Sequence, residues 1–242
     1  MAAVPSSAHF CTALQDTPMP RHANVNSHRR KVFSLLTALL ICLTGCQPDG
    51  TRASALSEIR SVFSEFQQAL EDQDGEAALE TLTSSSIDKY EKLRTAALHA
   101  SEASLREMEL LEQAEILKLR HSFTADELNA MNGRDLLARL IDDGSLASEL
   151  ISRARLGEAV FKEDRCLPKI YDGGSPTNIR LEFHSEKDGW KLHLPSADVA
   201  SKQAIRSMMD RDDLDHEGVL RKIMKDLTGS EDDQSLLKPL DA

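Results

Sequence analysis

Apolar residues change their spacing along this chain of 242 residues, and each spacing predicts a different element. Val32 to Leu43 is a nearly unbroken apolar run. From Leu56 onward apolar residues recur every three or four positions, the period of an amphipathic helix. From Ile179 they alternate with polar ones, the period of a half-buried strand.

The helical part begins with Leu56, Ile59, Val62, Phe63, Phe66 and Leu70 on one face, and Asp72-Gln73-Asp74-Gly75 ends that helix. Glu76 to Thr83 predicts a second helix with Ala78, Leu79 and Leu82 inward. Ser84-Ser85-Ser86 is a break that supplies capping hydroxyls. A third helix starts near Ile87 and carries Tyr90, Leu93, Ala97 and Leu98. Glu102 to Arg120 has high helix propensity throughout and reads as one element. Leu105, Met108, Leu111, Glu115 and Leu119 lie near one face, flanked by Leu110, Ala114 and Leu117, so the stripe is wide enough for two neighbours. Thr124 and Glu127 have capping-box spacing and open a short helix that ends at Asn132-Gly133. Asp135 can cap the next, Leu136 to Ile141.

Strands follow. Ile151 to Phe161 and Arg165 to Tyr171 contain strand-like runs joined by Lys162-Glu163-Asp164, and Pro168 predicts an edge or a bulge. Ile179, Leu181 and Phe183 alternate with Arg180, Glu182 and His184; Trp190, Leu192 and Leu194 alternate with Lys191 and His193. Asp188-Gly189 between them predicts a hairpin. A two-residue turn there sets His184 opposite His193, whereas a four-residue turn sets Glu182 opposite His193, and both keep the apolar face intact. Ala197 to Met209 predicts a helix, Asp215 caps a last one, and residues 229–242 read as a disordered polar tail. Helices first and strands afterwards predict an α+β domain over residues 54–228, with N-terminal amphipathic helices packed on a curved antiparallel sheet.

The helix pair from Ser61 to Leu82, with its Asp74-Gly75-Glu76-Ala77-Ala78-Leu79 link, and the Asp188-Gly189-Trp190-Lys191-Leu192 hairpin resemble the nuclear transport factor two-like fold, a cone of helices against a curved sheet. The resemblance extends from Ala55 to about Met209 and includes small secreted lipoproteins. It implies a binding or scaffolding domain, or an acid/base isomerase or dehydratase that works in the cone. Tyr90, Tyr171, Asp88 and His99 would be the suppliers for such chemistry. None has a spacing that demands catalysis, and the inward positions are almost all aliphatic, so the expectation is a non-catalytic domain without a cofactor. A small apolar ligand would need an open cavity behind Trp190 and Phe183. A protein partner or a homodimer would use the outer face of the sheet.

The apolar run near the start changes the picture of where this domain works. It follows the basic cluster His28-Arg29-Arg30-Lys31 and leads into Leu43-Thr44-Gly45-Cys46. Its 12 residues fall short of the roughly 20 that span a bilayer. Basic cluster, short apolar run and small-residue site describe a secretory signal. The ending resembles a bacterial lipobox, which implies removal of residues 1–45 and acylation, palmitate included, of Cys46. Residues 46–53 would then be a lipidated tether. The expected location is the cell envelope, lipid-anchored, with Gln47 after the cysteine implying the outer membrane facing the periplasm.

Charge narrows the partners. Loss of Arg21, Arg29, Arg30 and Lys31 against Asp16 would take the formal net charge from −11 to −14. An acidic surface without a basic stripe excludes nucleic acid and leaves the acyl group as the contact with lipid. Cys166 would be the one cysteine left besides Cys46 and reads as a small buried hydrophobe. His184, His193 and Glu182 could hold zinc as two imidazoles and a carboxylate. A solvated polar face without metal is the reading adopted for them. Asp213, Asp215, Glu217 and Gly218 mimic the start of a calcium loop, but Met224 stands where the closing Glu belongs, and helix capping is the reading adopted.

Residues 1–26 carry Pro5, Pro18 and Pro20 and no periodicity, unlike a signal's short basic start, and a start at Val25 would leave Val25-Asn26-Ser27-His28-Arg29-Arg30-Lys31 in that role. The intact precursor should then have the mass of a chain beginning there; an initiator at Met1 removes this expectation.

Overall fold

Ile59, Phe63, Phe66, Ala69 and Leu70 form one stripe along helix α1 (Asp49–Asp72), and every one is buried. The computed structural model describes residues 49–146, 149–230 and 234–241. Within them α1 begins at Asp49, so residues 49–53 of the expected tether are helical. Residues 50–54 are exposed and contain no proline, and a helix nucleated by its packed part propagates through such a stretch at little cost.

Helix α2 (Gly75–Leu79) is capped by Asp74, and α3 (Ser84–His99) by Thr83, so the serine run lies inside α3 and not before it. The expected single helix over 102–120 is two, α4 (Glu102–Arg106) and α5 (Leu110–Ser122), with Glu109 extended between them. The break lets Leu105 turn into the core separately from Ile116, Leu117 and Leu119. The two helices that follow, α6 (Ala125–Ala130) and α7 (Gly133–Asp142), both start in capping boxes. Thr124 and Glu127 form the first, as expected; Asn132 caps the second with Asp135 as its partner, in place of Asp135 itself. Gly133 is obligatory there, because a Cβ would stand 2.5 Å from the backbone nitrogen of Glu91. Helix α8 (Glu149–Arg153) occupies the start of the first expected strand.

Strands β1 (Arg155–Lys162), β2 (Arg165–Asp172), β4 (Glu182–Glu186) and β5 (Gly189–His193) pair antiparallel in that order, and the short β3 (Ser175–Pro176) pairs with β2. Pro168 pairs with Ala159 beside a register shift in β1, the bulge its position predicts. Phe161, Cys166, Phe183 and Leu192 stand directly opposite one another across four strands and so share one face. Helix α1 covers that face: Phe63 meets Phe183 edge-on at 6.2 Å. Helices packed on one face of an antiparallel sheet make this an α+β fold.

The hairpin takes the second of the two expected registers, with Glu182 opposite His193, but its turn is Lys187-Asp188. Gly189 starts the returning strand at φ +114°, a conformation favoured for glycine. A Cβ there would lie 2.5 Å from Glu58 Oε1, which instead accepts the Trp190 N–H at 3.0 Å. The far edge of β5 is closed by the α2–α3 link, where Leu192 N–H donates to Thr81 O and Thr83 N–H donates to Leu192 O.

Helices α9 (Asp198–Asp212) and α10 (His216–Thr228) complete the domain, the latter capped by Asp215 as expected. The described part of the tail is docked and not disordered: Leu236 and Leu237 are buried. Both belong to the apolar core, and Arg120 ties them to it. Its buried guanidinium donates to the carbonyls of Ala96, Ala97 and Ala100, at the end of α3, and to that of Leu236. Burial pushes the pKa of Arg120 down from its ordinary value, yet four carbonyl dipoles satisfy the cation. Arg120→Met strands those carbonyls and should cost about 3 kcal/mol in urea unfolding. Arg120→Lys, a cation without the fork, should fall between the two.

Candidate functional site

Three elements bring charged side chains to one end of the sheet's apolar face. Helix α3 supplies Lys89 and Tyr90, α5 supplies Glu115, and the turn after β5 delivers Asp198 at the start of α9. Lys89 Nζ donates to Glu115 Oε1 at 2.9 Å and to both oxygens of Asp198 at 2.9 and 3.1 Å. It also stands 5.9 Å from the centre of the Tyr90 ring. The three charged groups are each about one-quarter exposed or less, so water screens them weakly.

The balance of forces differs for each. Burial pulls the Lys89 ammonium down, but Glu115 and Asp198 more than reverse it, and it ends above the ordinary lysine value. Burial raises the Glu115 carboxyl, Lys89 opposes this, and the negative charges of Asp198 and Glu112 add to the rise. Burial, then Glu115 and Asp198, hold the Tyr90 phenol protonated well past its ordinary range. Glu115 Oε2 is buried and has no hydrogen-bond partner among the described residues.

This cluster stands over a cavity of about 270 Å³. Leu181, Leu192 and Leu194 line its sheet side, and Phe66 and Leu70 of α1 close one wall. A second cavity of about 400 Å³ lies outward, against Leu93, Met108 and Pro195. Lys89 and Asp198 line both, so their ion pair stands between the two spaces. The space expected behind Phe183 and Trp190 is filled: Phe183 is fully buried against Phe63, and Trp190 packs edge-on against Phe161 at 5.9 Å. The open volume lies one residue pair further along the hairpin.

Of the residues considered for acid/base chemistry, Tyr90 alone lines this cavity. Asp88 is exposed, His99 pairs with Asp241 at 2.5 Å, and Tyr171 lies against Gly157 on β1. Cys166 is buried, and burial pushes its thiol up to about 11, which fits a packing role. Asp215 caps α10 and Glu217 pairs with Arg106, which employs the acidic run in helix capping and an ion pair. Cys46 lies outside the described residues.

His184, His193 and Glu182 do meet, on the opposite face of the sheet. The imidazoles stack with centroids 4.4 Å apart and planes 14° from parallel, and Glu182 Oε2 lies 3.5 Å from His184 Nε2. Ring nitrogens bind metal in the ring plane, so parallel rings do not converge on one ion. His193 Nδ1 is already engaged by Ser85 and Thr83. No group of three His, Cys, Asp or Glu among the described residues is arranged to hold a metal.

Lys89, Glu115 and Asp198 were not singled out from the sequence as a site. One signal was present: Glu115 sits within the apolar stripe of its helix, where an unpaired carboxylate is costly to bury. Compared with known protein families, curated proteins and solved structures, the chain matches none.

The stacked pair makes stability depend on pH. Burial, then the proximity of His184, pull the His193 pKa below 6.5, against Glu182, Asp198 and Glu186. Folding then disfavours its proton, and the unfolded chain binds more protons between the folded pKa and 6.5. Stability should be complete above pH 6.5 and fall as pH drops through that window. Thermal melts at pH 7 and pH 5 should show a smaller loss in His193→Gln than in the unaltered chain. Equal losses would show that another group carries the dependence.

Proposed function

We propose that this chain is a lipid-anchored protein of the bacterial cell envelope whose domain binds a small ligand in the cavity beneath Lys89, Glu115 and Asp198. The observation that carries the reading is the cavity itself. An aliphatic floor with a few converging polar groups is the usual construction of a small-molecule site, and 270 Å³ falls just below the usual range of about 300–1,000 Å³, which limits the ligand to a small one. The nuclear transport factor two-like cone is the proposed architecture, and its ligands would enter between helices and sheet.

The anchor is read from Leu43-Thr44-Gly45-Cys46. No helix among the described residues is long and apolar enough to cross a membrane. Acyl chains on Cys46 would hold the domain to the bilayer, at about 0.8 kcal/mol per buried methylene. The exposed first turns of α1 would then serve as a short rigid stalk, with the outer membrane facing the periplasm as the proposed site. The acidic surface supports a role without nucleic acid.

A second reading, an acid/base isomerase or dehydratase, is favoured by one observation. Glu115 is a carboxyl with a raised pKa at the edge of a cavity, beside a protonated Tyr90. A protein partner or a second copy on the sheet's outer face remains the scaffold version of the non-catalytic reading.

Two measurements test the proposal. Cells fed labelled palmitate should yield a membrane-bound, labelled product from the unaltered chain, and Cys46→Ser should lose both label and membrane attachment. Label retained in Cys46→Ser refutes the anchor. Calorimetry on the full chain carrying Cys46→Ser should detect binding of 1-octanol, abolished when Ala200→Phe fills the cavity. No binding by the chain with Ala200 intact refutes the ligand site.

A further inference from the structure

The charges at the cavity mouth are unequal. Lys89 is one cation bonded to two carboxylates, Glu115 and Asp198, and the negative charge of Glu112 also bears on Glu115. Both Asp198 oxygens are taken by Lys89, whereas Glu115 Oε2 is buried without a described partner. Lys92 is the other cation near this end; it is exposed and lines the outer space alone. Burial first, and then the field of Glu115 and Asp198, favours the proton of the Tyr90 phenol. The carboxylates of Glu115 and Asp198 that line the cavity outnumber its one cation, Lys89, so its interior is at negative potential. Polar groups stand at the mouth shared by the two spaces, and leucines lie inward.

We propose that the cavity selects a small amphiphile with one positive charge, a primary ammonium on a short hydrocarbon body. This deepens the reading of the cavity as a ligand site and rests on it. The hydrocarbon enters first and lies against Leu181, Leu192 and Leu194. The ammonium lies beside the Glu115 and Asp198 carboxylates and brings the cluster of Lys89, Glu115 and Asp198 to neutrality. A carboxylate head would meet Glu115 and Asp198 with only Lys89 to offset them. A hydroxyl head could donate to a carboxylate but would leave the cluster's excess negative charge in place. The acidic surface of the whole domain attracts cations and repels anions in the same sense.

The test compares three probes of equal chain length, n-octylamine, 1-octanol and octanoate, by calorimetry at pH 7 on the full chain carrying Cys46→Ser. The ammonium should bind at least about tenfold tighter than the alcohol, and octanoate weakest of the three. Added Glu115→Gln should erase the preference of ammonium over alcohol while 1-octanol affinity stays within about threefold. Ala200→Phe should abolish binding of all three. Equal affinity for ammonium and alcohol, tighter octanoate, or an ammonium preference that survives Glu115→Gln each overturns the charge selectivity and leaves the cavity reading standing. Failure of all three probes overturns both. Octylamine binding undiminished by Ala200→Phe places it elsewhere and overturns the proposal.

Discussion

The sheet has one apolar face, and the structure depends on covering it. Phe161, Cys166, Phe183 and Leu192 line up across the four paired strands, and α1 lies over them with Phe63 edge-on to Phe183. A single helix is about 10 Å wide, which is too narrow for a whole sheet. The end of the face around Leu181 and Leu194 is left to α3, α5 and α9. Those helices meet there with Lys89, Glu115 and Asp198, which cannot pack as tightly as leucines. The cavity follows from that incomplete cover.

Two cations in this domain show how the same cost of burial has two outcomes. Arg120 is surrounded by four carbonyls at the end of α3 and the docked tail, and its fork of donors suits them. It ties three segments together. Lys89 is a compact ammonium between two carboxylates, and it leaves one acceptor of Glu115 unused. A fully satisfied buried charge is a structural element. A partly satisfied one beside a cavity offers a ligand something to bind.

Much of the fold was legible from local pattern. The α1 stripe, the Thr124 and Glu127 box, the Asp215 cap, the Pro168 bulge and the alternation from Ile179 to Leu194 all appear where the spacing places them. The departures appear where distant segments meet. The helix over 102–120 is interrupted at Glu109, whose backbone is extended. The tail docks with Leu236 and Leu237 in the core and the Leu236 carbonyl on Arg120. The hairpin turn lies one residue back, at Lys187-Asp188, and Glu58, far away in sequence, occupies the place of a Cβ at residue 189.

By itself the sequence determined the class of the fold, helices on an antiparallel sheet, because the periods of helix and strand are properties of neighbouring residues. It also carries the whole case for the lipid anchor, which is a local motif of four residues. The candidate site was decided by tertiary structure alone. Lys89 and Asp198 are 109 residues apart and Lys89 and Glu115 are 26 apart. No local spacing brings them together; the packing of three helices over an uncovered end of the sheet does.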